Sequence, residues 1–217
     1  MSIPTNLIKA TDPTSTDQAI VVRGLPGTSL QRVELRMPTA DGSYVANVSG
    51  ATAAGAAAGV NLVSFRWGSA TKLALIRQAR LSILVSTAST VGLPEMAGYI
   101  TRGFTVSDSV GTAVATAGNA LKKRTSHATS VVTDFRFADG GALTAGTRTL
   151  EVRPFVVAYS PLALGTGQIG DAWGMTLNDD PIVLAQDEGL VFQNVTALTL
   201  GVYRYQLRLE WLEVTSY

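Results

Sequence analysis

The feature that most constrains the fold is the alternation of side chains in residues 200–214. The odd positions carry bulky apolar side chains, namely Tyr203, Tyr205, Leu207, Leu209 and Trp211. Polar and charged residues occupy the even positions between them. Successive side chains of a β-strand point to opposite faces, so the pattern predicts an antiparallel strand with one buried face. Because the stretch exceeds the usual strand length of about 5–6 residues, we expect it inside a sheet on which a second layer packs.

Similar stretches recur upstream, separated by clusters of Gly, Asp, Asn and Pro. The other expected strands are residues 61–67, 73–87, 96–106, 131–137, 147–159, 182–184 and 190–192. Pro154 should mark an edge or a bulge because proline cannot donate to a ladder. Residues 160–178 are Gly-rich and are expected to form a long irregular loop. About eight strands without a helix or a repeat predict an all-β, antiparallel two-sheet sandwich of jelly-roll type.

Two of these strands have apolar faces that can be assigned in detail. Residues 61–67 should bury Val63, Phe65 and Trp67. In residues 73–87 the expected apolar face consists of Leu73, Leu75, Ala79, Leu81, Ile83 and Val85. Arg77 interrupts that face, and we expect its guanidinium to reach solvent or a carboxylate. For residues 185–189 we expect a tight turn in which Gly189 supplies a positive φ.

Composition divides the chain into three parts. Residues 1–50 are expected to form an extended N-terminal arm and a β-hairpin, in which residues 30–37 and 43–48 flank the Asp41-Gly42 turn signal. The arm, residues 1–18, is rich in Thr, Ser, Asp and Pro and should order itself on a neighbour. Residues 51–59 are an Ala/Gly linker, and residues 60–217 are expected to form the β-sandwich domain.

The charge content bears on possible partners. Charged residues make up 15% of the chain, against about 25% in an average soluble domain, which suggests a surface partly covered by other subunits. The net charge of +1 argues against nucleic acid or an anionic membrane as a partner. The short cluster Lys122-Lys123-Arg124 is best explained as a solvated turn. No cysteine, signal peptide or long apolar segment occurs, so we expect a soluble, unexported protein assembled in a reducing cytoplasm.

Residues with catalytic chemistry are few. His127 is the only histidine, so a metal site with several imidazole ligands cannot be built, and an acyl-transfer triad would have to use His127 alone. We expect His127 to lie exposed in a polar turn. The acidic pairs Asp179-Asp180 and Asp187-Glu188 could in principle hydrolyse a glycoside, but their turn-like surroundings favour turn formation and solvated charge. Gly165-Thr166-Gly167 lacks the rest of a phosphate-binding fingerprint. We therefore assign no catalytic, cofactor-binding or metal-binding residue and expect no enzymatic activity.

Tryptophans could also line a carbohydrate groove. Trp67 and Trp211 each fall on the apolar face of an expected strand, so core packing is the better explanation for both. Trp173 lies in the Gly-rich passage, and for this residue both core packing and a place in such a groove stay open.

Several segments of the chain resemble virion structural proteins of tailed bacteriophages. The resemblance rests on residues 103–109 (GFTVSDS), 143–150 (LTAGTRTL) and 181–189 (PIVLAQDEG), followed by 210–214 (EWLEV). It covers roughly residues 60–215. Proteins of this kind are typically jelly-roll cement or decoration subunits of the capsid, or related minor head or tail components, and they act by contact.

The resemblance implies a function and a location. The chain is expected to be a capsid cement protein that forms a homotrimer or homodimer and binds the major capsid protein or another virion protein. Its expected place is the capsid surface of a virion assembled in the host cytoplasm. The alternative is a tail-associated receptor-binding or carbohydrate-binding module, although the coiled-coil heptads and repeats usual in fibre proteins are missing.

Overall fold

A computed structural model describes residues 42–90, 92–118, 120–160, 167–174 and 181–215, with the backbone alone described in 167–174. These residues lie within one compact unit, 39–217. The expected arm, the expected strand at 30–37 and the pair Asp179-Asp180 lie outside the described residues. The strands are β1 (Gly42–Ala51), β2 (Val60–Trp67), β3 (Leu73–Thr87), β4 (Glu95–Arg102), β5 (Thr112–Ala113), β6 (Asp134–Phe137), β7 (Thr149–Leu150), β8 (Val156–Tyr159), β9 (Gly167–Gly174), β10 (Ile182–Leu184), β11 (Glu188–Asn194) and β12 (Val202–Val214).

The strands form two antiparallel sheets packed face to face, which confirms the all-β sandwich predicted from the alternation. The five-stranded sheet has the order β1-β12-β3-β10, with β9 also paired to β3. The seven-stranded sheet has the order β5-β6-β2-β11-β4-β7, with β8 also paired to β4. The described part contains no helix long and apolar enough to cross a membrane.

The strands pair in a regular order along the chain. β1 pairs with β12, β2 with β11, β3 with β9 and β10, and β4 with β7 and β8. Strands from the beginning of the described chain thus pair with strands from its end. β12 lies between β1 and β3, so the final strand is an interior strand as predicted.

The core between the sheets is built on the apolar face of β12. Tyr203, Leu209 and Trp211 are fully buried, and the polar residues of the same strand up to Arg208 face outward. The Trp211 ring meets the Phe65 ring edge-on with centroids 5.2 Å apart. Trp67 is fully buried too, and its indole N–H donates to the backbone oxygen of Lys72 over 2.8 Å. Core packing of both tryptophans is therefore confirmed.

The expected face of β3 is correct only beyond Arg77. Glu210 of β12 pairs with Gln78, but the next residue, Trp211, pairs with Ile76, so Arg77 is the extra residue of a β-bulge. A bulge shifts the alternation by one residue. Ile76 therefore joins the core between the sheets, whereas Leu75 packs in a separate cluster with Leu212 and Val214. Arg77 itself is exposed, as expected.

Several boundaries differ from the sequence expectation. β4 ends at Arg102, and the single strand expected at 147–159 is split into β7 and β8, with Pro154 in the irregular segment between them. The passage expected to be entirely irregular contains β9, which pairs with β3. The interruption coincides with Pro154, which has no N–H to donate to the ladder, whereas β9 forms because β3 offers it a pairing edge. Residues 43–48 lie in β1, which pairs along its length with β12, and their expected hairpin partner, residues 30–37, lies outside the described residues.

The turn before β11 has an unexpected left-handed residue. Asp187 adopts the positive φ, at 58°, which a short polar side chain tolerates. Gly189 lies in β11, where a Cβ atom would come within 2.2 Å of the Phe65 carbonyl oxygen. Glycine is needed there for the close approach of two backbones. The turn carries the chain from β10 in one sheet to β11 in the other.

Candidate contact surface

The lone histidine has a structural role in the described fold. Nδ1 of His127 lies 3.0 Å from the backbone nitrogen of Ser43, which donates to it, and the ring centroid lies 6.5 Å from that of Tyr44. The side chain is half-buried, so the expectation of an exposed histidine is wrong. It was missed because nothing local to residues 124–128 indicates that β1 packs beside them. Nearby, the ammonium group of Lys123 contacts the Glu210 carboxylate.

The acidic pair in the turn before β11 forms ion pairs. Asp187 lies 3.2 Å from the Arg66 guanidinium, and Glu188 contacts the Arg102 guanidinium. Glu188 also accepts a hydrogen bond from the Ala185 backbone nitrogen over 2.8 Å. These carboxylates are thus occupied by neighbours within the chain, which matches turn formation better than acid–base chemistry.

A buried ion pair joins the segments that carry the phage-like resemblance. Arg148, from 143–150, binds Asp108, from 103–109, and both side chains are almost completely buried. The Asp108 carboxylate also accepts from the Gly146 backbone nitrogen over 2.8 Å, and the guanidinium carbon lies 4.7 Å from the centre of the Phe104 ring. Burying two charges is tolerated only when their geometry and hydrogen bonds compensate for the lost hydration.

The third segment joins the same cluster through the backbone. The Phe104 backbone nitrogen donates to the Asp187 backbone oxygen over 2.7 Å. Arg66 reinforces the junction by donating to the Phe104 backbone oxygen and, over 3.2 Å, to the Ser107 hydroxyl. Three loops distant in sequence are therefore locked together at this end of the sandwich. These segments were singled out in the sequence, but Asp108 and Arg148 were given no role, because an ion pair between distant segments produces no periodic pattern in the sequence.

A second buried carboxylate fastens the long connection before β6 to β12. Glu213 is fully buried and accepts hydrogen bonds from the Ser130 hydroxyl over 2.6 Å and the Val131 backbone nitrogen over 3.0 Å. Lys72 Nζ lies 4.0 Å away. Burial raises the pKa of Glu213, and the hydrogen bonds and Lys72 oppose that shift only in part.

At the opposite end of the sandwich three loops pack side by side. These loops, described at residues 52–59, at 88–90 with 92–94, and at 195–201, are called the three-loop end. The Leu198 backbone nitrogen donates to the Ala56 oxygen over 2.9 Å, and the Ser89 hydroxyl donates to the Thr199 oxygen over 3.1 Å. A Cβ atom at Gly92 would lie 2.0 Å from the Ala197 oxygen, which shows how closely the last two loops approach.

Asn194 organises the three-loop end from within. Its fully buried side-chain amide nitrogen donates to the backbone oxygens of Ala57 and Thr196, each over 2.8 Å. Its amide oxygen accepts from the Tyr203 hydroxyl over 3.1 Å. Burial raises the pKa of Tyr203, so this hydroxyl remains a donor at all physiological pH values. These bonds hold the loops 52–59 and 195–201 in one arrangement.

Two leucines project from this rigid support. Leu93 is 43% exposed and Leu200 is 69% exposed. Leu200 also adopts a positive φ of 61°. A non-glycine residue in the left-handed region stores strain of about 1–3 kcal/mol, and such residues concentrate at functional positions. Leu200 is exposed, apolar and strained, and it stands on loops ordered by hydrogen bonds, so the three-loop end is a candidate contact surface. Val110, on the loop after β4, shares the exposure and the positive φ.

The described residues contain no group of three or more His, Asp or Glu side chains placed to hold a metal ion. Comparisons of the chain with protein-family models, with curated proteins and with solved structures find no match. The phage-like resemblance therefore remains a prediction.

Proposed function

We propose that this chain is a structural subunit of a bacteriophage virion, which binds and stabilises the capsid as a cement or decoration protein. It acts by protein–protein contact without catalysis. In this proposal it forms a homotrimer or homodimer on the capsid surface, and its partner is the major capsid protein or another virion protein. The observation that carries the proposal is Leu200, an exposed leucine with a strained backbone on a rigid three-loop end.

In an isolated subunit Leu200 is energetically unfavourable. Its side chain leaves most of its apolar surface in water, and its backbone strain lowers the free energy of unfolding. Neither feature benefits a monomer. A partner that covers the side chain would recover about 25 cal/mol for each Å² of apolar surface removed from water. The same contact could bury Leu93 on the adjacent loop.

The rigidity of the support favours contact as well. A surface that is already ordered loses little conformational entropy when a partner binds. The hydrogen bonds of Asn194 supply that order before any partner is present. Low charge supports the proposal independently, since 15% charged residues leave a surface with few strongly hydrated groups that a partner would have to desolvate.

Substituting glycine for Leu200 tests the role of its side chain in contact without destabilising the fold. Leu200→Gly removes the side chain and relieves the positive φ, so the free energy of unfolding should stay within about 1 kcal/mol of the parent value. Attachment to shells that lack this chain should weaken about tenfold or more, as for a buried interface anchor. Co-sedimentation measures attachment, and light scattering measures the oligomeric mass.

Val110→Gly is the matched control. Val110 also has a positive φ, at 65°, and is 62% exposed, but it lies in a different loop, after β4. This variant should attach like the parent. If Leu200→Gly attaches as well as the parent, or if the parent is a monomer that ignores shells, the proposal fails and the tail-associated binding module becomes the better explanation.

A further inference from the structure

The outer face of the five-stranded sheet carries a groove that the proposed contact surface does not use. It has a volume of about 640 Å³, which lies within the usual range of small-ligand sites, about 300–1,000 Å³. Its lining side chains come from three neighbouring strands and from Asp139, which follows β6. We propose that this groove binds a neutral saccharide of one or two rings.

The sheet register arranges the lining residues in two rows. In the first row Ala51 of β1 pairs with Arg204 of β12, which pairs with Leu84 of β3. In the second row the paired residues are Ser49, Gln206 and Ser82. Rows two residues apart along a strand are separated by about 7 Å, and neighbouring strands by about 4.8 Å. One sugar ring lying on the sheet would therefore reach side chains of both rows.

Asp139 extends the first row at the sheet edge. Its Oδ1 accepts a hydrogen bond from the Ala51 backbone nitrogen over 3.0 Å, and the Gly140 nitrogen donates to the Ala51 oxygen over 2.8 Å. Beneath it, the Tyr205 hydroxyl donates to the backbone oxygen of Ala138, and the Leu62 backbone oxygen lies 3.1 Å from the same hydroxyl. The carboxylate is thus held in place before any ligand arrives, and its Oδ2 has no hydrogen-bond partner among the described residues.

The chemistry of the lining matches sugar hydroxyls, which both donate and accept. Arg204 is exposed and its guanidinium makes no hydrogen bond or ion pair to the described residues, so its donors are available. Asp139 supplies acceptors, and Gln206 supplies both kinds of group. One positive and one negative charge balance, which favours a neutral ligand over an acidic one. Leu84, 43% exposed, offers an apolar surface to the C–H face of a ring.

The test is a titration of the full chain with three neutral disaccharides, lactose, maltose and cellobiose, and with the acidic digalacturonate. Saturation-transfer NMR and calorimetry measure binding. We expect saturable binding of at least one neutral disaccharide, weakened about tenfold or more by Arg204→Gln and by Asp139→Asn. Both substitutions retain a side chain of similar size, and thermal melting should show an unchanged fold.

Arg80→Gln is the matched control, because Arg80 is exposed on the same sheet face outside the groove lining. It should bind like the parent. The inference is overturned if no neutral disaccharide saturates, if digalacturonate binds more tightly than all three, or if Arg204→Gln and Asp139→Asn leave binding unchanged. Arg204→Gln should attach to shells normally, and a loss of attachment would reassign the groove to protein contact. Failure of the capsid proposal alone would leave the disaccharide titration unchanged.

Discussion

The hydroxyl of Tyr203 donates a hydrogen bond to the side-chain oxygen of Asn194 over 3.1 Å, and both groups are buried. The two residues stand on strands of different sheets, β12 and β11. This bond therefore crosses the core and ties the end of β11, where the chain enters residues 195–201, to the strand that leaves them. It couples the order of the three-loop end to the packing of the sandwich.

Asn194→Ala should destabilise the protein by about 3 kcal/mol. The substitution removes the acceptor of the buried Tyr203 hydroxyl and the donors to the part-buried backbone oxygens of Ala57 and Thr196, and the loss of hydrogen bonds at buried polar groups is costly. Urea denaturation measures the change. Asn47→Ala is the control, since Asn47 is exposed on β1, and it should stay within about 0.5 kcal/mol. Equal stability of the two variants would contradict a structural role for Asn194.

Trp211→Asp should prevent folding or cost on the order of 3 kcal/mol or more. It removes a fully buried ring and places a carboxylate beside Phe65 in the core. Gln206→Asp, on the exposed face of the same strand, should be nearly neutral. Circular dichroism and thermal melting separate the outcomes. A soluble Trp211→Asp protein with the parent melting temperature would rule out the register of β12.

Glu213→Gln should change the pH dependence of stability. Because burial raises the folded-state pKa of Glu213, its favourable contribution is complete below the unfolded pKa of about 4.5 and is lost as pH rises through the higher folded value. The parent should therefore lose stability relative to Glu213→Gln as pH increases from about 4.5. Urea denaturation across pH 4–8 provides the measurement, and Glu151→Gln, at an exposed ion pair, is the control. A stability difference independent of pH would contradict this assignment.

Deleting residues 1–18 should leave the sandwich folded and weaken attachment to shells. If the subunit is an oligomer, several weak arms bind together, and losing all of them reduces attachment by far more than the affinity of one arm. Co-sedimentation of the parent, the deletion and a variant with residues 1–18 scrambled measures the effect. A deletion variant that attaches as well as the parent would show that residues 1–18 do not contribute to binding.

Some of the fold could be read directly from residue order. The bounds of β3 and the buried face of β12 follow from alternation, which depends on nothing beyond the pleat of one strand. The same rule failed at Leu73 and Leu75, because the bulge at Arg77 exists only in relation to β12. It also failed for β9, whose Gly-rich sequence has no strand signal and pairs because β3 offers it a ladder.

The candidate surfaces, unlike the strands, could not be predicted from the sequence. The chain by itself determined an all-β sandwich with aromatic residues inside and few groups suited to catalysis, because composition and a period of two are local properties. Only the tertiary structure decided that Asn194 would hold two loops together, that Leu200 would be strained and exposed, and that Arg204 and Asp139 would share a groove. Each of these depends on strands that are distant in sequence and adjacent in space, and such adjacency is set by pairing and packing across the whole sandwich.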